Sequence, residues 1–435
     1  MVSEEQVLEA LSNIQDPDLG RDIVSLGFVK NLKIDGEAVS FALELTTPAC
    51  PVKEAFRSDA QRLVGAIDGV GSVDVTMTAM APKPKTGNDI DTLKKVGAVI
   101  AVSSCKGGVG KSTVAAQLAR AIQREGHKVG LLDIDLYGPS LPTLFHVQQP
   151  DVFMRHNLIQ PLEIDGLKTM SLGYMIGDKP AVMRGPMVSN YTMQLLRQTE
   201  WGELDYLIID MPPGTGDIQL TLVQQAALDG AIIVTTPQAL SLVDVARGIL
   251  MFESTDVPVL GMVENMAYFE CDQCSTRHHI FGTGSDLLKN RFGLDILAQL
   301  PILPGISDAS KKSSGADIEA FSTLAENLHR EIGKRRIDAE PKPEVTSIDG
   351  HVQIKWPDGK VNAIPNKTLR TSCQCALCIN EYTSEAILDP GSVPEDIKVE
   401  GIQPLGNYAV AISWSDGHSS GIFSWEHMRG ITATA

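Results

Sequence analysis

Three groups of residues have the types and spacing that chemistry needs. The first is SSCKGGVGKST at 103–113, where Lys106, Gly107, Gly108, Val109, Gly110 and Lys111 stand in a row. It departs from the phosphate-loop pattern G-x-x-x-x-G-K-[ST] at one place, because Cys105 occupies the position of the first glycine. The remaining glycines let backbone N–H groups approach phosphates, and the start of a helix adds positive potential. Lys111 would reach the β- and γ-phosphates of ATP, Ser112 would ligate Mg2+, and Thr113 would donate to the α-phosphate. Asp133 and Asp135 in LLDID and Asp210 in YLIID follow runs of apolar residues. Phosphoryl transfer needs a carboxylate near the metal and a group that orients the attacking water. Asp210 fits the Mg2+ role and Asp135 the water-positioning role.

The second group is Cys271 and Cys274, a C-x-x-C. Two thiolates make half of a tetrahedral site, and a second copy of the chain could supply the other half. From the residues alone, a zinc site completed by His278 or His279 and a dithiol redox pair are alternatives. The third group is Cys373, Cys375 and Cys378, a C-x-C-x-x-C with one coordination place open. A histidine would close it as a Cys3His zinc site, and a further iron–sulfur site is the alternative.

These residues require elements to hold them. From about 96 to 335, the runs VGAVIAVSS, VGLLDID, YLIID, AIIVTT and VLGMVEN alternate with helical stretches. The alternation predicts an α/β fold, a parallel sheet with helices on both faces. The phosphate loop would open the helix TVAAQLARAIQRE, ending at Gly126. Residues 1–80 read as a small α+β domain and 81–89 as a linker. A second linker covers 333–344, and 346–435 reads as a small β-rich domain with Asp-Gly turns. Asp16 and Asp18 read as turn or cap residues, and His427 as an ordinary helix or surface residue.

A chain of 435 residues suits two or three domains, and its net charge of −17 argues against nonspecific binding to nucleic acid or an anionic membrane. No apolar run is long enough for a membrane span. The acidic opening MVSEEQVLEALSNIQDPD reads as an amphipathic helix and not as a targeting peptide, so the expected compartment is the cytoplasm. Clustered cysteines there favour metal or redox chemistry over disulfides.

With Lys106 ahead of the loop, D-I-D-L-Y-G-P-S, D-M-P-P-G-T-G-D and V-E-N-M, the central segment resembles the MinD-related deviant P-loop ATPases. Within them it is most similar to the Mrp/ApbC iron–sulfur cluster carriers. The resemblance implies a homodimer in which Lys106 reaches the partner's nucleotide, Asn265 recognises adenine, and Cys271 and Cys274 hold a [4Fe–4S] cluster between subunits. It also implies cluster donors and recipient apoproteins as partners. Around the two cysteines this chain has Asp272, Gln273 and Ser275 where the family often has proline and glycine. The segment DPDLGRDIVSLGFVK with TTPACPVK resembles a domain of iron–sulfur assembly factors, and Cys50 falls on its motif cysteine. The C-terminal segment is similar to the N-terminal domain of γ-butyrobetaine hydroxylase-like enzymes, which makes His418 the fourth ligand of Zn2+ beside Cys373, Cys375 and Cys378. The three-part order is similar to that of chloroplast-type scaffolds of the Mrp/ApbC family. The functional expectation is an ATPase coupled to cluster loading or transfer. Its alternatives are a MinD- or ParA-like positioning switch and a metal-binding scaffold without ATPase activity. Cys105 is expected to pack and not to react.

Overall fold

The computed structural model describes residues 2–434 except 47–51, 81–89, 136–137, 148–149, 177–184, 227, 238–241, 272, 283–288, 290–291, 303–305, 307–315, 337–342, 376, 381–384 and 406–408. Cys50 and the first linker lie outside the described residues. The chain forms two compact units, Met1–Pro84 with Ala325–Ala339, and Lys85–Leu324 with Glu340–Ala435.

The larger unit is built on parallel strands β1 (Val96–Ser103), β2 (Val129–Asp133), β3 (Leu167–Ser171), β4 (Leu204–Asp210), β5 (Gly230–Thr235), β6 (Val259–Glu270) and β7 (Ile296–Pro301). They lie in the order β3-β2-β4-β1-β5-β6-β7. Every residue of β5, and every residue of β1 except Gly97, is buried. That burial is why these strands read as unbroken apolar runs. β3 was not legible in the same way, because LKTMS carries polar residues. Its Thr169 and Ser171 are nonetheless fully buried, the first donating to the Leu162 carbonyl and the second to Asp133. Helix α1 (Lys111–Arg124) starts at Gly110 and stops before Gly126, both in the left-handed region, and packs on the sheet through Val114, Ala115, Leu118, Ala119 and Ile122.

The C-terminal segment adds two antiparallel three-stranded sheets. Asp349 and Gly350, both with positive φ, make the tight turn between strands Glu344–Ile348 and His351–Lys355. Strand Ala409–Trp414 is buried on both faces. Ala409 and Ala411, with Leu405 and Ile422, join the core of the central sheet. Val410, Ile412 and Trp414 point the other way, into a second core with Ile354, Leu369, Phe423, Cys373 and Cys378.

In the smaller unit, strand Ala38–Leu45 lies between Val29–Asp35 (antiparallel) and Ser72–Ala79 (parallel), with helices Glu4–Leu11 and Lys53–Gly65. Val7, Leu11, Phe28, Leu43, Phe56 and Val64 fill its core. Asp16 accepts the N–H groups of Asp18 and Leu19 and so makes a turn, and Asp18 pairs with Arg330 at 3.5 Å. Helix Ala316–Arg336 extends through the first four residues of the segment read as the second linker, and Arg336 donates to the Thr46 carbonyl at 3.0 Å. No helix among the described residues is long and apolar enough to cross a membrane.

Gly97 shows how closely the sheet is drawn together: a Cβ there would stand 2.7 Å from the Asp205 carbonyl oxygen of β4. Backbone on both sides cannot yield as a side chain can. Gly97→Ala is expected to lower stability by about 1–3 kcal/mol, read from the denaturant midpoint. An unchanged midpoint would show that the sheet accommodates the methyl group.

Candidate functional site

β1, β4 and β2 run in parallel register, with Asp210 beside Val102 on one side and Asp133 on the other. The phosphate loop leaves the carboxyl end of β1 at the same level. It is tied to the segment after β4 by the Gly214 N–H on the Ser104 carbonyl at 2.9 Å. Gly108 and Gly110 have φ of 80° and 82°, and Gly107 and Gly108 have open space where a Cβ would stand. The loop thus offers backbone N–H groups to an anion without side-chain obstruction.

Lys111, only 6% exposed, places its ammonium 2.5 Å from Asp210 Oδ1, 3.3 Å from Ser112 Oγ and 3.7 Å from Asp135 Oδ2. Burial raises the Asp210 pKa against the lowering effects of Lys111 and Ser112. Its Oδ2 is buried with no hydrogen-bond partner among the described residues. An orphaned carboxylate oxygen next to a serine hydroxyl is a fitting place for a divalent cation.

The three aspartates grouped in the sequence have separate positions here. Asp133 accepts the N–H groups of Asp135 and Ser140 and the Ser171 hydroxyl, each at 3.0 Å. Burial, then the charge of Asp210, pushes its carboxyl up to about 7. Asp133 therefore shapes the loop that presents Asp135, a role its position at a strand end did not distinguish.

Asn265, on β6, donates from Nδ2 to the Val109 carbonyl at 2.9 Å, and a Cβ on Gly110 would lie 2.3 Å from that nitrogen. The structure thus brings Asn265 to the nucleotide loop, with its amide nitrogen on loop backbone. Thr113 lies half-buried in the first turn of α1. Lys106 is 46% exposed and sits 3.6 Å from Asp244 of helix α2 (Leu242–Glu253), a partner that the sequence did not point to. Cys105 faces the same helix, where a Cβ on Gly248 would come within 2.7 Å of its sulfur. Burial and the nearby Asp244 push the Cys105 thiol up to about 12.

Cys271 and Cys274 sit in a hairpin at the end of β6. The Ser275 N–H donates to the Cys271 carbonyl at 2.8 Å, and the Cys271 N–H to the Thr276 carbonyl at 3.0 Å. Cys271 is half-buried and Cys274 exposed. Among the described residues, no third His, Cys, Asp or Glu joins them within 4.8 Å. His278 and His279 are exposed, and the His279 ring instead meets the Ala267 carbonyl at 3.1 Å. The Cys274 thiol is held down by the Thr276 hydroxyl and N–H, then by Cys271.

Cys373, Cys375, Cys378 and His418 do converge, with all four ligand atoms within 4.8 Å of one another. His418 Nε2 is 3.4 Å from the sulfurs of Cys373 and Cys375 and 3.9 Å from that of Cys378. A tetrahedral zinc would set these separations at about 3.5 Å, so the set fits the ion. Hydrogen bonds with Cys373 and Cys378 favour the Cys375 thiolate. That thiolate and Cys378 in turn push the imidazole of His418 up to about 9. His427 is half-buried and bonds to the Ser372 carbonyl and Gln374, outside the cluster.

A phosphate loop after the first strand of a parallel sheet, facing a buried strand-end aspartate, defines a P-loop NTPase. More narrowly, the chain belongs to the ParA family described as NUBPL iron-transfer P-loop NTPases, whose model matches residues 95–335. Residues 4–75 match the iron–sulfur cluster assembly protein family, and 344–429 the γ-butyrobetaine hydroxylase-like N-terminal family. The chain is 44% identical over 432 residues to the Fe-S cluster assembly factor HCF101, chloroplastic, of Oryza sativa, spanning 96% of this chain and 81% of that one. It is 42% identical over 343 residues to the iron-sulfur cluster carrier protein of Synechocystis, covering 75% of this chain and 97% of the relative. Among solved structures, a nucleotide-binding protein of Archaeoglobus fulgidus in complex with ADP is 39% identical, with a TM-score of 0.46 over 56% of this chain and 93% of that one.

The thiolate is the nucleophile, so a lowered pKa speeds alkylation at a given pH and a raised one slows it. In reduced, metal-free protein near neutral pH, iodoacetamide is expected to label Cys274 well before Cys105. Peptide mass spectrometry over time measures the order, and equal rates would contradict the packed, protonated state of Cys105.

Proposed function

We propose that the chain is an ATP-hydrolysing iron–sulfur cluster carrier that works as a homodimer. In this reading, Cys271 and Cys274 of two copies hold a [4Fe–4S] cluster as cargo, received from cluster donors and passed to apoproteins. The observation that carries the proposal is the course of β6. This one strand places Asn265 on the phosphate loop and, six residues later, Cys271 in an exposed hairpin. A change in the loop has a direct structural route to the cluster ligands.

In hydrolysis, Lys111 would neutralise the β- and γ-phosphate oxygens, while the N–H groups of Gly107, Gly108, Val109 and Gly110 cradle them and Thr113 holds the α-phosphate. Ser112 and the free Asp210 oxygen would hold Mg2+, which supplies charge neutralisation at the phosphates. Asp135, 3.7 Å from the Lys111 ammonium, would orient the attacking water, and Lys106 would leave Asp244 to reach a nucleotide in the second copy. Asn265 would meet adenine with the part of its amide that the loop does not engage. Zn2+ on Cys373, Cys375, Cys378 and His418 would be structural, since the four ligands close the site. The proposed organisation has a carrier core at 96–335, an assembly-type domain at 1–80 and a zinc domain at 346–435. The unbridged thiols suit a reducing compartment such as the cytoplasm.

Anaerobic reconstitution of the full chain, followed by iron and sulfide assay, tests the cargo. Wild type is expected to take up both in equal amounts and to run as a dimer, and a Cys271→Ser/Cys274→Ser variant to lose them. Unchanged uptake by that variant would sink the assignment. Asp135→Asn is expected to slow ATP turnover by about 10²-fold or more while leaving nucleotide affinity near wild type. Full turnover would remove Asp135 from the water-positioning role.

A further inference from the structure

Behind the Cys3His cluster lies a second layer of charged groups. Arg370, in helix α3 (Asn366–Thr371), is 5% exposed. Its Nη1 donates to Cys378 Sγ at 3.3 Å and its Nε to Asp416 Oδ2 at 2.8 Å. The other Asp416 oxygen accepts the His418 backbone N–H at 3.0 Å. One guanidinium therefore links the segment that carries the sulfurs to the hairpin that carries the imidazole. Elsewhere around the cluster, the Ser420 hydroxyl donates to Cys375 Sγ at 3.4 Å. Gly421 leaves the room that Cys373 needs, since a Cβ there would stand 3.2 Å from its sulfur.

The charges explain why a guanidinium suits this place. Three thiolates and a neutral imidazole carry one negative charge more than a divalent ion can balance, and burying that excess is costly. Arginine stays protonated in any surroundings, and its rigid fork can serve two acceptors at fixed angles. Asp416, 20% exposed, orients the fork while keeping part of its own charge in water. An N–H donor on a thiolate also draws electron density from the sulfur, which changes its bond to a metal without occupying a coordination place.

We propose that Arg370 is a positioning residue for the metal of this site: oriented by Asp416, it holds Cys378 and the His418 hairpin in register and sets how long a divalent ion is retained. The inference rests on the zinc reading above. The two are separated by first measuring zinc in full-length wild type and in a Cys375→Ser/His418→Ala variant. Equal metal content in both would defeat the zinc reading and remove the basis of this inference.

With zinc bound at the four ligands, Arg370→Gln is expected to pass it to a chromophoric chelator about 10–100-fold faster than wild type. In cobalt-loaded protein, its sulfur-to-cobalt absorption band is expected at longer wavelength, because Cys378 has lost a hydrogen-bond donor. A role limited to packing would not move that band while all four ligands stay bound. Arg370→Lys keeps the charge and is expected to release zinc at an intermediate rate; release as fast as from Arg370→Gln would overturn the electrostatic part. If Arg370→Gln does not fold, Asp416→Asn is the deciding variant, with faster release and the same direction of band shift expected. Wild-type release and an unmoved band in the deciding variant would overturn the proposal.

Discussion

A lysine ammonium buried against a buried carboxylate is the constraint on which the larger unit depends. Neither Lys111 nor Asp210 would be tolerated alone at this depth, because an unpaired buried charge costs several kcal/mol, about 3–5 when one partner is removed. Their meeting requires β1 and β4 to be parallel neighbours in register. It also requires a loop that turns back within a few residues, which is where Gly108 and Gly110 adopt positive φ. Asp133, one strand further, brings a second acidic side chain to the same edge and is stabilised by donors of the loop that it shapes. An edge with this many acceptors and one buried lysine is short of positive charge, a shortage that a divalent cation would relieve.

The two cysteine sites follow opposite physical rules. The hairpin pair has one exposed and one half-buried thiol, no third candidate ligand beside it among the described residues, and in Cys274 a thiol whose pKa is lowered by a hydroxyl and a backbone N–H. Such a half-site can accept ligands from a second body and give them up. The C-terminal set is complete within one chain, largely buried, and backed by a guanidinium and a carboxylate. The two sets thus differ in completeness and burial, although both place sulfur at short sequence spacing.

Much of this was legible in the sequence where local rules decide. The apolar runs of β1, β2, β4, β5 and β6 announced a sheet covered on both faces, and Gly126 marked the end of α1. Lys111 lies with Asp135 and Asp210, and His418 lies with Cys373, Cys375 and Cys378, a grouping that spacing left open and only the family resemblance implied. What escaped was decided by distant partners. β3 was hidden because its Thr169 and Ser171 find partners only in the folded sheet. Arg370 and Asp416 carry no local signal in the sequence that they meet across 46 positions. The stretch GKRR looked like the start of a linker, yet cations are favourable in the last turn of a helix, and the helix runs on to Arg336.

Strand Ala409–Trp414 belongs to two cores at once, with alanines on the nucleotide sheet's side and Val410, Ile412 and Trp414 on the cysteine cluster's side. A strand so placed cannot leave one core while remaining in the other. The C-terminal segment is therefore not an appendage on the P-loop sheet but is packed into the same core. Loss of order around Cys373, Cys375, Cys378 and His418 would loosen the sheet that carries the phosphate loop, so that the integrity of one region reports on the other.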